Sequence, residues 1–222
     1  MSKLKTMTQD TIMKTLEWSY DKAINGGIPG MDSAEELAQH YLKKPGTLKE
    51  KVKQLIRVQN TKSGTSGFVT NLGGLITLPI AVPANIASVL LVQMQMVGAI
   101  AYMGGHDLHD DEVKTFVYLC LVGNEVKDVI KTTGIQVGMK LAKQGIKRIP
   151  GEAIKKINQA VGFRLLTKFG SKGVINLGKL VPIAGGIIGG TTDALATNTI
   201  GKIAYKIFIV DNKVEKSFII EM

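Results

Sequence analysis

Apolar residues recur along much of this chain at helical spacing. The pattern predicts a series of helices separated by Gly and Pro. Met1 to Gly27 reads as a helix ending near Gly26–Gly27, with a turn through Pro29–Gly30. A second helix is expected to start at Asp32 or Ser33, with Glu35 and Glu36 in its first turn, where the helix dipole favours acids; Pro45–Gly46 ends it. Thr47 to Thr61 reads as a third, with Leu48, Val52, Leu55, Ile56 and Gln59 on one side. Pro83 suits a first helical position, and Pro83 to Met103 is mostly apolar and free of charge, with Gln93 and Gln95 interrupting it near the middle. At about 1.5 Å per residue that segment is roughly 31 Å long, enough to cross a hydrocarbon core. It is either a central helix buried by its neighbours or a segment that enters or lies in lipid.

Val113 to Thr132 reads as an acidic helix, turning Phe116, Leu119, Cys120 and Val126 inward. Gly134 to Ile149 is amphipathic: Ile135, Met139, Ala142, Ile146 and Ile149 oppose Lys140, Lys143, Lys147 and Arg148. Such a face suits a membrane surface, and equally a core helix with a solvated outside. Glu152 to Val161 starts another helix with Ile154, Ile157 and Val161 inward; either it breaks at Gly162, which the recurring glycines favour, or it runs on and brings Arg164 and Lys168 onto its apolar side. Leu180 to Gly201 is a second apolar segment. Its Gly185–Gly186 and Gly189–Gly190 pairs are spaced for close helix packing. The fold class that follows is all-α: a compact multi-helix globule with a central apolar helix and Gly-rich, tightly packed helices. The 222 residues read as one domain, with 1–34 a helical extension, 35–208 the core and 209–222 a tail.

Charge changes this picture more than composition does. Lys and Arg number 28 against 18 Asp and Glu, a net charge of +10. Residues 63–105 hold no charge, whereas 133–180 hold ten cations and one acid, Glu152. With no acid between Glu152 and Asp193, these cations lack a partner nearby in sequence and look for an external anion. The candidate anionic-lipid-binding residues are Lys140, Lys143, Lys147, Arg148, Lys155, Lys156, Arg164, Lys168 and Lys172. With the helix broken at Gly162, the later ones would gather on a loop-rich surface.

Candidate chemistry is sparse. One Cys excludes an internal disulfide and any Cys-cluster metal site, and Cys120 lies in an apolar run that suits an inert small hydrophobe. His106, Asp107 and His109–Glu112 match no metal-ligand spacing and read as the capped start of a helix. No nucleophile elbow, zincin motif, phosphate loop or dinucleotide loop is present, so the expectation is no catalytic residue, no cofactor and no metal. The first residues lack the apolar core of a secretory signal. Only Phe163 and Phe169 interrupt the basic block, and no nucleic-acid-binding motif accompanies it, so nucleic acid is a poor fit.

Several stretches together resemble the EcsC family, bacterial proteins named after one whose gene sits beside an ABC exporter. They are Gly73 to Pro83, Ile100 to Leu108, Ile157 to Arg164, Thr167 to Gly170, Pro182 to Gly190 and Ile200 to Ala204. The resemblance implies an all-helical fold without established catalytic residues or cofactor. The expected function is peripheral association, from the cytoplasm, with the inner face of the cytoplasmic membrane, through anionic lipid and with room for an acyl chain. The alternative is a soluble module docking on an acidic protein, such as a transporter component.

Overall fold

Three helix starts follow from short side chains that replace missing backbone partners. The computed structural model describes residues 8–64, 84–133, 149–169 and 187–210. Helix α1 spans Gln9–Asn25, and the Thr8 hydroxyl accepts the amide of Thr11. Helix α2 spans Ala34–Leu42; Ser33 Oγ accepts from Glu36 N while Glu36 Oε2 accepts from Ser33 N, a closed capping box. Helix α3, Leu48–Gly64, repeats the device with Thr47 and Glu50. Hydrogen bonds from Thr47 and Ser33 hold the carboxyls of Glu50 and Glu36 below the usual carboxylate range.

Helix α4, Ala84–Met103, is the centre of the molecule. Between Ile86 and Met103 it is 94 % buried, packed by α1, α2, α3 and two later helices, α5 (Asp111–Cys120) and α8 (Ile187–Phe208). Its polar interruptions are matched from within. Gln93 Nε2 donates to Thr197 Oγ1 at 3.1 Å, Gln59 Nε2 donates to Gln95 Oε1 at 2.8 Å, and Gln95 Nε2 donates to the Asp32 carbonyl. A buried amide without such partners would cost several kcal/mol, about 2–7 by transfer measurements. Gln93 meets Thr197, and Gly104 meets Phe208 at the same offset, so α4 and α8 run parallel. Gln59 meets Gln95 and Ile56 meets Gly201, which sets α3 antiparallel to both.

Two sequence expectations are corrected here. Val113 to Thr132 is not one helix. α5 stops at Cys120, a 3-10 turn covers Gly123–Glu125, and α6 runs Val126–Thr132. Gly123 has φ +62°, a left-handed backbone that an L side chain resists, so the chain bends there. Conversely, no break occurs at Gly162: α7 is continuous from Gly151 to Phe169. Ala153, Ile157, Val161 and Leu165 form its buried row. Gly162 is small because α1 crosses there, and a Cβ would sit 2.7 Å from Met13 Sδ. Since the obstacle is the end of a flexible thioether, Gly162→Ala should shift stability by no more than about 1 kcal/mol, the helix-propensity gain offsetting the displacement. Urea unfolding checks this; a loss well beyond that figure would mean Met13 has nowhere to go.

Among the described residues there are helices and no strands: the fold is all-α and compact. The amphipathic segment 134–148, as well as Gly185 and Gly186, lies outside the described residues. Gly189 and Gly190 fall in the first turn of α8, and their surroundings lie outside them too.

Candidate anion-binding surface

Helix α7 carries the described part of the basic block. It starts where Pro150 turns the chain, its carbonyl accepting the amides of Ala153 and Ile154. Its buried row rests on α1, α5 and α6. At 100° per residue, the opposite face gathers Glu152, Lys155, Lys156, Gln159, Phe163 and Thr167 within about 120°, and all six are exposed. Lys155 and Lys156 take part in none of the ion pairs between described residues, Asp10–Lys14, Asp21–Lys22 and Glu125–Arg164.

Arg164 and Lys168 do not join them. The unbroken helix carries both onto the arc of the buried row, Arg164 between Ala153 and Ile157 and Lys168 between Ile157 and Val161 at 100° per residue. There Arg164 Nη1 lies 3.2 Å from Glu125 Oε2, and Lys168 Nζ sits 5.2 Å from the Phe169 ring centroid. Arg164 has no partner nearby in sequence, as expected, but it does not await an external anion: Glu125, remote in sequence, meets it where the chain bends at Gly123. Both groups are partly open to solvent, so this pair contributes little to stability, on the order of 0–1 kcal/mol. The loop-rich surface expected around Asn158, Arg164 and Lys168 is helix instead. Lys140, Lys143, Lys147, Arg148 and Lys172 lie outside the described residues.

Between the end of α6 and α7 runs an open cleft of about 500 Å³ lined by Thr132, Thr133, Lys156, Gln159, Ala160 and Phe163. The two threonine hydroxyls donate to the carbonyls of Val129 and Ile130, leaving their oxygens able to accept. Phe163 is 55 % exposed, unusual for so large an apolar ring. The cleft thus offers an ammonium and an amide beside a bare aromatic face. That combination suits the boundary between a charged headgroup and hydrocarbon, where amphipathic and aromatic groups concentrate. Phe163 was not among the residues selected from the sequence; its signal there was its position four residues after Gln159 on the lysine side.

The groups that first suggested chemistry have structural partners. His106 is buried, its Nε2 3.0 Å from the Phe208 carbonyl and its ring edge-on to Phe208. Asp107 Oδ1 accepts from His109 N, and Tyr102 Oη donates to Glu35 Oε1. These residues line a cavity of about 530 Å³ at the end of α4. No group of three or more His, Cys, Asp or Glu able to hold a metal exists among the described residues. Burial pushes the Cys120 thiol far above the range where a thiolate forms.

A model of the EcsC protein family matches residues 1–210, which takes in every helix from α1 to α8. The chain belongs to the EcsC protein family. Neither curated proteins nor solved structures yield a match. For this EcsC chain the fold and the α7 surface therefore carry the functional argument.

Proposed function

We propose that this EcsC-family protein is a non-enzymatic helical protein that associates peripherally with the inner face of the cytoplasmic membrane and holds anionic lipid headgroups on a basic surface. One observation carries the reading: Lys155 and Lys156 stand exposed, outside any ion pair between described residues, on the same helix face as a bare Phe163. Each cation near an anionic leaflet contributes about 1 kcal/mol. Two alone hold weakly, so the remaining residues of the block, Lys140, Lys143, Lys147, Arg148 and Lys172, belong to the same proposal. Lys168 belongs to it from the opposite side of α7. Arg164, held by Glu125, contributes least. Phe163 supplies an apolar contact for the acyl boundary.

Vesicle cosedimentation tests this. Binding should require anionic lipid and fall with added salt. Lys155→Gln with Lys156→Gln should weaken it about thirtyfold, from roughly 1 kcal/mol per side chain. Equal binding to neutral and anionic vesicles would remove the electrostatic reading. No vesicle binding, together with specific capture of an acidic protein, would replace it with a docking module.

A further inference from the structure

Helix α3 carries a second set of cations that the sequence reading passed over. Lys49, Lys53 and Arg57 recur at every fourth position and are all exposed. They form one stripe about 12 Å long that runs from a flank of the helix toward its outer face. Lys43 stands exposed at the end of α2, and Lys44 lies beside it, its Nζ 4.1 Å above the Tyr41 ring. None of these five joins an ion pair between described residues.

The carboxylates of the same two helices are committed elsewhere. Glu50 folds back to the start of α3, where its Oε2 accepts from Thr47 N at 2.8 Å and from Thr47 Oγ1 at 2.9 Å. Glu36 closes the box with Ser33, and Glu35 accepts from Tyr102 and Gln39. The α2–α3 corner is thus a cationic face whose acids are occupied. Round the helix from the stripe, on the Lys51 side, Val58 is 40 % exposed, and Leu42, whose carbonyl accepts from Lys51 Nζ, is 37 % exposed. A row of exposed cations is complementary to the phosphates of anionic headgroups.

The position of this corner matters as much as its charge. α3 packs on α8, α4 and α2, whereas α7 packs on α5, α1 and α6. Among the described helices the two have different main packing partners, which sets them against different parts of the core. A flat bilayer touches one of them at a time.

We propose that the α2–α3 corner is a second anionic-lipid-binding face, so that one molecule holds two bilayers together; this rests on the membrane reading of the α7 face. The test uses the full chain with phosphatidylcholine vesicles, with and without phosphatidylglycerol, at protein levels too low to coat them. Cosedimentation reports binding, and dynamic light scattering reports clustering. Wild type should bind and cluster only the anionic vesicles. The exposed triple variant Lys49→Gln, Lys53→Gln, Arg57→Gln should still cosediment through α7 but cluster at least about tenfold more slowly, three headgroup contacts having been removed from one face. An unchanged melting temperature shows that the fold is intact. Wild type that binds without clustering, or a triple variant that clusters as fast as wild type, overturns the second face and leaves the α7 reading standing. Absence of wild-type binding to anionic vesicles overturns both.

Discussion

Gly104→Ala should cost about 3 kcal/mol and lower the melting temperature by roughly 10 °C, given about 2–4 °C per kcal/mol for a chain of this size. A Cβ at residue 104 would run into the carbonyl oxygen of Phe208 and press on His106 Cδ2. Neither neighbour can yield easily. The Phe208 carbonyl is main chain and already partners His106 Nε2. The residue 104 backbone is held in turn, its amide donating to Ile100 and Ala101. Relief would require α4 and α8 to part at the end where they meet, exposing Phe208 and breaking the histidine contact, so overpacking and a lost buried hydrogen bond act together. Thermal unfolding followed by circular dichroism gives the answer. A shift within about 2 °C would show that the two helix ends slide apart freely. Gly162, which meets only a methionine tip, is the matched control.

Gln95→Leu is the second large effect, expected at about 2–4 kcal/mol. Leucine fills similar space but removes the acceptor for Gln59 Nε2 and the donor to the Asp32 carbonyl. Gln59 is 1 % exposed and its own Oε1 has no hydrogen bond, so the substitution leaves that amide without any partner. The double variant Gln59→Leu, Gln95→Leu removes the stranded group and should recover more than half of the loss, since replacing both members of a buried pair costs less than orphaning one. A double-mutant cycle in urea measures the coupling. Strict additivity would mean that the Gln59 amide finds another partner when Gln95 is gone.

These two sites show which parts of the fold were legible. Ser33 three residues before Glu36, and Thr47 three before Glu50, announce helix starts from local chemistry alone, and both close as capping boxes. Pro83 and the long, uncharged, mostly apolar run announce α4. Gly162 reads as a breaker because glycine is a poor helix former, and nothing local reveals that α1 crosses there. The alternatives for α4 could not be separated from its own residues either. The Gln93 and Gln95 amides have partners on α8 and α3 and at Asp32, all distant in sequence.

The candidate surface divides the same way. The excess of cations between 133 and 180 is a property of the chain, and so is the spacing that puts Lys49, Lys53 and Arg57 in one row. Which cation stays outside an internal ion pair is not. Lys155 and Lys156 face outward, whereas Arg164 is carried to Glu125 by the unbroken helix and the bend at Gly123.

By itself the sequence determined the family, the all-helical class, most helix starts and the unequal distribution of charge, because each depends on residues within a turn or two of one another. Only the tertiary structure decided that α4 is wrapped by other helices, that Phe163 is bare, and that Arg164 meets Glu125 while Lys155 and Lys156 stand exposed. Burial and pairing are set by whichever helix packs alongside, and that neighbour comes from a distant part of the chain.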